Sequence, residues 1–106
     1  MPDCLWMQGP KEFLAVIIKG HRRENSYLQV KHLPADDLRF GLTVSGKIGD
    51  AVRRNRLKRR LREIVRVWTP QTQKKSGWFI IRAKKGVTNL KFGELQESLL
   101  ELLTWE

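Results

Sequence analysis

The chain has 106 residues, of which 41% are hydrophobic, and a formal net charge of +10. This size fits one domain with a single core, and the charge indicates an anionic partner such as nucleic acid or a membrane surface. No apolar run reaches the roughly 20 residues of a membrane span, and the N-terminus lacks a signal-peptide layout, so we expect a cytoplasmic protein. With one cysteine and two isolated histidines, neither a disulfide framework nor a zinc site is predicted.

The first predicted elements are a short helix and two strands. Pro10 and Gly20 bracket the segment KEFLAVIIK, and proline at the start with glycine at the end is typical of a helix. Residues 27–33 alternate weakly between apolar and polar side chains, which predicts a strand. After turn residues at 34–37, residues 38–45 alternate cleanly. They predict a second, antiparallel strand with one buried face.

The second half of the chain predicts a long helix, a third strand and a closing helix. Asp50 is a suitable N-cap for the long helix, which is expected to end near Trp68, before Pro70. The apolar segment 78–85 predicts a strand and 91–103 a helix. The order α-β-β-α-β-α predicts an α+β fold, a two-layer α/β sandwich with a mostly antiparallel sheet.

The long helix separates apolar from basic side chains when it is plotted at about 100° per residue. One arc is apolar and is expected to face the core: Leu57, Leu61, Ile64, Val65 and Trp68. The opposite arc, which we call the basic stripe, contains Asn55, Lys58, Arg59, Arg62 and Arg66. The helix is therefore expected to be anchored on one side and to present positive charge on the other.

An ordinary solvated face is the simplest explanation for charged residues on a helix. Between Arg39 and Arg66, however, ten basic residues face only two acidic ones, so this segment carries a net +8. Three of these basic residues lie near the start of the helix and oppose its dipole, at about 0.3–1 kcal/mol each if exposed: Arg53, Arg54 and Arg56. Polyanion binding would remove both penalties, and the excess of arginine over lysine favours phosphate as the ligand.

At these residues the chain resembles the protein component of bacterial ribonuclease P. The resemblance rests on FGLTVSGKIGDAVRRNRLKRRLREIVR, residues 40–66. This segment has the family's Arg-Asn-Arg motif and its continuation, here Arg54, Asn55, Arg56, Lys58, Arg59 and Arg62. The similarity extends to KEFLAVIIKGHRR and to WFIIRAKKGVTNLKFGELQESLLELL, and so covers nearly the whole chain.

The resemblance implies a single RNA-binding domain over residues 1–106 that joins a large catalytic RNA and helps it remove the 5′ leader from precursor tRNA. It also implies that the RNA hydrolyses the phosphodiester with magnesium ions, so that this accessory subunit has no catalytic residue and binds no cofactor by itself. The fold implied by the family contains a left-handed βαβ crossover around the long helix.

The resemblance also implies two sets of binding residues. The first is expected to bind the catalytic RNA: Arg53, Arg54, Asn55, Arg56, Lys58, Arg59, Arg62, Arg66 and Lys47. The second is expected to bind the single-stranded leader in a cleft between the first helix and the sheet: Phe13, Ile17, Tyr27 and Lys31. Phe13 has core filling as an equal alternative. Ile17 and Gly46 depart from the aromatic and lysine common in the family, which makes the leader contacts less certain.

Two rival functions remain open from the sequence. A ribosomal or ribosome-associated protein of similar fold would bind RNA without joining an enzyme. A self-sufficient endoribonuclease would need paired carboxylates, an activated nucleophile or a metal cluster, and the sequence offers none of these patterns. Addition of the catalytic RNA distinguishes these two alternatives from a ribonuclease P subunit, because only the ribonuclease P subunit is expected to support cleavage that depends on that RNA.

Overall fold

The computed structural model describes residues 5–7, 9–71 and 76–103. It contains three helices: α1 (Pro10–Lys19), α2 (Ala51–Gln71) and α3 (Phe92–Leu103). It also contains five strands: β1 (Leu5–Trp6), β2 (His21–Glu24), β3 (Leu28–Leu33), β4 (Leu38–Thr43) and β5 (Gly77–Ala83). A 3₁₀ turn, Val87–Asn89, joins β5 to α3. No helix in these described ranges has the length and apolar content needed to cross a membrane.

The strands form one mixed sheet in the order β1-β4-β5-β3-β2. The pairs β2–β3 and β3–β5 are antiparallel, whereas β1–β4 and β4–β5 are parallel. The α+β class and the order α-β-β-α-β-α are confirmed, but the sheet is evenly divided instead of mostly antiparallel, because β5 inserts between β3 and β4. Helix α2 is the crossover between the parallel neighbours β4 and β5, and its left-handed sense stays a prediction.

The parallel pair at the centre of the sheet is held in a definite register. Leu38 lies opposite Gly77, and Phe40 lies opposite Phe79. Gly77 has a φ of +131°, and a Cβ at this position would collide with the imidazole of His32. Glycine is therefore required where β5 begins, since other residues rarely adopt this backbone conformation.

Two strands were not predicted from the sequence. β2 has the sequence HRRE and pairs antiparallel with β3. The turn between them is fixed by Asn25, whose Oδ1 accepts hydrogen bonds from the N–H groups of Tyr27 and Leu28, each at 3.0 Å. β1 has only two residues. Both strands lie at edges of the sheet and lack the apolar alternation that marks a half-buried strand.

The long helix begins as predicted and ends later than predicted. The Oδ1 of Asp50 accepts a hydrogen bond from the N–H of Arg53 at 2.9 Å, which confirms the N-cap. The predicted end was near Trp68 because Pro70 follows, yet the helix continues to Gln71. A proline removes one N–H donor and crowds the carbonyl four residues earlier, but in the last turn of a helix this disturbs a single hydrogen bond and the helical backbone can continue.

The helices pack on both faces of the sheet. Helices α2 and α3 cover one face with the large core, in which the rings of Phe40 and Phe79 are stacked at 5.1 Å and Trp68 meets Phe79 edge-on at 6.2 Å. Helix α1 lies on the opposite face, where Val16 packs with Ile80 in a smaller cluster. The predicted two layers are thus extended by a partial third layer. Much of this second face is left open, because α1 covers only part of it.

Candidate nucleic-acid interface

The apolar arc predicted for α2 is confirmed. Its five members are nearly inaccessible to solvent: Leu57 (4%), Leu61 (0%), Ile64 (1%), Val65 (0%) and Trp68 (5%). They pack in one core with residues from β3, β4, β5 and α3. The helix is consequently fixed to the sheet along its length, and the orientation of its outer side chains follows from that packing.

The structure brings the residues of the basic stripe together. One shallow depression on α2 is lined by Asn55, Lys58, Arg59, Glu63, Arg62 and Arg66. The only acidic member, Glu63, lies 3.4 Å from Arg66 in an exposed pair, which contributes little in water. Within the described ranges, Arg59 and Arg62 form no ion pair. The surface is therefore positively charged and largely uncompensated.

An aromatic side chain that the sequence did not assign to this surface supports the stripe. Trp6 of β1 packs on the ring of Phe40 with a centroid separation of 6.1 Å. The guanidinium of Arg62 lies 5.8 Å from the centroid of the Trp6 ring, within the range of a cation–π interaction. Arg62 is thereby attached to the edge of the sheet, and because β1 itself was not predicted, no sequence signal indicated this contact.

The arginines in the first turns of α2 do not all belong to the stripe. Arg53 and Arg56 line a separate cavity with Arg60, which was not among the predicted binding residues. Arg54 lies near the apolar arc, and its Nε is buried with no hydrogen-bond partner in the described part of the chain. The predicted residues of α2 thus divide into a stripe, a cavity and one half-buried arginine, because residues one or two positions apart on a helix point in different directions.

A groove lies on the opposite face of the sheet, beside α1. Its volume is about 690 Å³, and it is lined by Ile17 and Lys31, which were predicted for the leader, and by Lys47, which was predicted for the catalytic RNA. It is also lined by basic residues that were not predicted: Arg22, Arg82, Lys84 and Lys85. Arg82 could have been found from the sequence, since it is two residues after Ile80 and shares its side of the strand.

Two residues predicted for the leader do not line this groove. Phe13 is half-buried in the small cluster with Val16, and a Cβ added to Gly41 would lie 2.5 Å from its Cζ atom. The ring therefore fills the space above a glycine in β4. Tyr27, directly before β3, is 38% exposed, and its carbonyl accepts a hydrogen bond from the N–H of Lys84 at 2.9 Å.

The charges in the groove are partly ordered by hydrogen bonds. Lys31 Nζ donates to the carbonyl of Ile17 at 3.0 Å, close to the C-terminus of α1. Lys84 Nζ donates to Glu24 Oε1 at 2.9 Å. The hydrogen bond from Lys84, followed by that from Gln29, lowers the pKa of Glu24 from 4.5 to about 2. Glu24 is therefore ionised at neutral pH and neutralises one of the surrounding cations.

Arg39 is basic but belongs to the scaffold. Its Nη1 lies 2.8 Å from Glu12 Oε1 and its Nε lies 2.7 Å from Asp37 Oδ2. The indole N–H of Trp78 donates to Asp37 Oδ1 at 2.7 Å, and this bond, with that from Arg39, lowers the pKa of Asp37. These two carboxylates compensate one of the ten positive charges counted in the basic segment. The cationic surface is therefore smaller than the sequence count implied.

The chain is similar to proteins of one family. A family model described as Ribonuclease P matches residues 1–105. The ribonuclease P protein component of Streptococcus pyogenes serotype M5 (strain Manfredo) is 37% identical over 95 residues, which cover 88% of this chain and 78% of that protein.

Solved structures give the same result. The RNase P protein from Thermotoga maritima matches with a TM-score of 0.82 and 30% identity, covering 94% of this chain and 96% of that one. The Staphylococcus aureus RNase P protein matches with a TM-score of 0.82 and 28% identity, covering 93% and 92%.

Proposed function

The chain belongs to the family of ribonuclease P protein components, RNA-binding subunits of a tRNA-processing endoribonuclease, and we propose that it assembles with a catalytic RNA to help remove the 5′ leader of precursor tRNA. The observation that carries this proposal is the basic stripe of α2, which is largely uncompensated by acidic residues. Guanidinium groups that lack carboxylate partners are suited to bind phosphate oxygens through two parallel hydrogen bonds.

The stripe is proposed to bind the catalytic RNA. Its residues recur on one face of a helix that the core holds in place, so several phosphates can be contacted without reorganising the backbone. With about four to six phosphates contacted, the logarithm of the affinity should fall with the logarithm of salt concentration with a slope of roughly −3 to −5. A flat response to salt would exclude binding through phosphates.

The groove beside α1 is proposed to hold the leader of the substrate. A single strand needs basic groups for its backbone and apolar surface for its bases. The groove offers Lys31 and Lys47 for the first, with Ile17 and Ile80 for the second. Tyr27 remains a candidate at the margin of this surface, and Phe13 is supported more strongly as a packing residue.

The hydrolysis itself is assigned to the RNA subunit and its magnesium ions. In the described ranges no three His, Cys, Asp or Glu side chains are grouped so that they could hold a metal ion. The acidic residues of the groove and of the Arg39 network are instead paired with cations. The protein is thus proposed to bind and orient RNA, in the cytoplasm where tRNA is processed.

Reconstitution tests this function. Precursor tRNA cleavage should be measured with a bacterial ribonuclease P RNA, at a magnesium concentration where that RNA alone is slow, with and without this protein. We expect the protein to accelerate 5′ leader removal and to cleave nothing in the absence of the RNA. Cleavage by the protein alone would favour the self-sufficient nuclease. Indifference to the catalytic RNA, together with binding to ribosomal RNA, would favour the ribosomal alternative.

A further inference from the structure

Helix α1 forms one wall of the groove proposed for the leader, yet only a small apolar cluster lies between this helix and the sheet. Val16 is the buried residue of α1, and Phe13 is half-buried beside it in the same cluster with Ile80. Apolar packing is not directional, whereas a hydrogen bond is. The cluster therefore holds α1 against the sheet, but the rotation of the helix about its own axis is fixed by polar contacts.

One of these polar contacts is an ion pair between the first turn of α1 and strand β4. Glu12 Oε1 lies 2.8 Å from Arg39 Nη1, and the two side chains are only 24% and 28% exposed. The second carboxylate oxygen of Glu12, Oε2, is buried and has no hydrogen-bond partner in the described part of the chain. Arg39 therefore supplies the compensating charge for Glu12, and the partial shielding from water makes this pair stronger than an exposed one.

Arg39 is itself oriented by the sheet, independently of α1. Its Nε lies 2.7 Å from Asp37 Oδ2, and its guanidinium carbon lies 5.1 Å from the ring centroid of Trp78. Trp78 is paired with Arg39 in the register of β4 and β5, and its indole N–H donates to Asp37 Oδ1 at 2.7 Å. The planar guanidinium can thus bind one carboxylate on the sheet and another on the helix. It ties α1 to a fixed point of the sheet.

A second directional contact lies near the other end of α1. Lys31 Nζ, on β3, donates to the carbonyl of Ile17 at 3.0 Å. Glu12 and Ile17 are five residues apart, which corresponds to about 7.5 Å along the helix axis and about 140° around it. Two contacts separated in this way fix both the rotation and the tilt of the helix. Without the contact at Glu12, a rotation of about 20° would move a side chain on the helix surface by about 2 Å.

The ion pair is remote from the groove itself. Thr43 lines the groove and lies four residues after Arg39 on β4, a separation of about 13 Å. Neither Arg39 nor Glu12 lines the groove, whereas Ile17 does. Glu12 can therefore influence a bound leader in two ways, through the position of α1 or through long-range charge.

We infer that Arg39 is a positioning residue for leader binding, because its ion pair with Glu12 holds α1 at the rotation that places Ile17 in the groove. This inference rests on the proposed function, since it takes the groove beside α1 as the leader site. A groove wall that is fixed in advance does not have to be ordered when the leader binds, and this raises affinity. The pair thus serves binding as well as the fold.

Glu12 is the most informative residue to change, because charge and position predict opposite results. Loss of an acidic side chain should strengthen RNA binding through long-range attraction, whereas loss of the ion pair should weaken binding of the leader. The variants are Glu12→Ala, Glu12→Gln, which keeps an acceptor without the charge, and Arg39→Lys alone and combined with Glu12→Ala. Glu97→Ala is the charge-matched control, since Glu97 is exposed on α3, which packs on the other face of the sheet.

Each variant is assembled with a bacterial ribonuclease P RNA, and the Kd is measured for precursor tRNA and for mature tRNA. The ratio of the two values reports the leader contacts, because binding of the tRNA body and any loss of folded protein affect both values equally. We expect Glu12→Ala to lower the preference for precursor tRNA by about 3- to 10-fold, Glu12→Gln by about 2- to 3-fold, and Glu97→Ala by less than about 1.5-fold.

Two further results are expected from the same set of variants. The double variant should be no worse than Glu12→Ala alone, since two residues that act as a pair do not have additive effects. In the free protein, amide hydrogen exchange of α1 should be faster in Glu12→Ala than in the wild type. If Glu12→Ala does not fold, Glu12→Gln supplies the comparison for both tRNAs.

Three results would overturn the inference. An unchanged ratio in Glu12→Ala, whether both tRNAs bind more tightly or both more weakly, would reduce the pair to a charge or to a contribution to folding. Additive effects of Glu12→Ala and Arg39→Lys would show that the two residues do not act together. If the wild-type protein gives no preference for precursor over mature tRNA, the leader groove of the proposed function has failed, and the inference fails with it. The first two results leave the proposed function intact.

Discussion

The two faces of the sheet are built from the same strands, but one is covered by a hydrophobic core and the other carries an open groove. The face under α2 and α3 is closed by a continuous core that includes Phe40, Phe79 and Ile81. The other face has a small cluster around Val16 and Ile80, and beyond it an open groove with basic side chains. Because side chains alternate along a strand, each central strand can stabilise the fold on one face and bind a ligand on the other.

The comparison extends to the arginines. Arg39 contacts two carboxylates and lies against the ring of Trp78, with its guanidinium carbon 5.1 Å from the centroid. Arg59, on the outer side of α2, has no acidic partner within the described ranges. An arginine that is compensated by the protein is part of the scaffold, whereas one that is left uncompensated is available to an anionic ligand.

The largest expected effect comes from the closed face. Leu61 is fully buried between α2 and the sheet, so Leu61→Ala should lower the free energy of unfolding by about 2–5 kcal/mol. Val67→Ala is the control on the same helix, because Val67 is 46% exposed and should change stability by less than about 0.5 kcal/mol. Urea denaturation measures both, and equal losses would contradict the assignment of the two sides of α2.

Substitutions in the basic stripe should weaken RNA binding and leave the stability of the fold nearly unchanged. Arg59→Ala and Arg62→Ala should each weaken binding to the catalytic RNA by about 1.5–3 kcal/mol, because a charge-assisted hydrogen bond to phosphate is lost. The salt slope should become shallower by about 1 in each variant. Titrations at several salt concentrations measure both effects, and thermal unfolding serves as the control. Variants that unfold while they still bind RNA would reverse the roles of the two sides.

A substitution of Phe13 tests whether this ring belongs to the small packed cluster under α1 or to the open groove beside it. Its ring is half-buried against Gly41, so Phe13→Ala should cost about 1–3 kcal/mol of stability, less than the loss of a fully buried phenylalanine. The ratio of affinities for precursor and mature tRNA should not change. Ile17→Ala is the comparison, since Ile17 lines the groove. A selective loss of precursor binding in Phe13→Ala would return the ring to the leader site.

The smallest effect concerns a single carboxylate of the open face. Lys84→Ala should raise the pKa of Glu24 from about 2 toward 4.5, because the hydrogen bond from Lys84 is the largest cause of the lowering. The folded-state pKa is below the ordinary one, so this contact stabilises the fold above pH 4.5 and is lost as the pH falls toward 2. The free energy of unfolding of the variant should therefore depend less on pH between about 2 and 4.5 than that of the wild type.

Carboxyl-carbon NMR titration measures the pKa of Glu24 directly. Lys85→Ala is the matched control, since Lys85 lines the same groove but does not contribute to the pKa of Glu24. An unchanged pKa in Lys84→Ala would show that the hydrogen bond does not form in solution.

The elements of the fold that are marked by a regular spacing of hydrophobic residues could be predicted from the sequence. Leu57, Leu61 and Ile64 recur at helical spacing, and Phe40 and Leu42 at strand spacing, so α2 and β4 could be located within a few residues. The neighbours of β4 could not be predicted in this way, because strand pairing depends on contacts between distant segments. Leu38 pairs with Gly77 in β5, and nothing local to either residue encodes that partner.

A candidate site could be predicted from the sequence only where all of its residues lie on one helix or strand. The stripe lies on a single helix and was found from its periodicity. The groove combines Ile17 of α1, Arg82 of β5 and Lys47 of a loop, and the cavity combines α2 with Asn89. Such sites require the tertiary arrangement, which explains why the sequence did not single out Arg60 and Arg82 and why it left Phe13 open between leader binding and core filling.

The two edges of the sheet have a consequence for self-association. An unpaired edge strand exposes main-chain donors and acceptors that can template the addition of a strand from another molecule, which is a route to aggregation. Here β1 offers only two residues, too short for such a template, and β2 presents the side chains of HRRE. Three of these four side chains are charged, and charged side chains on an edge strand oppose the addition of another strand. The charged sequence of β2 lacks the apolar alternation that would have predicted a strand, and it also disfavours edge-to-edge polymerisation.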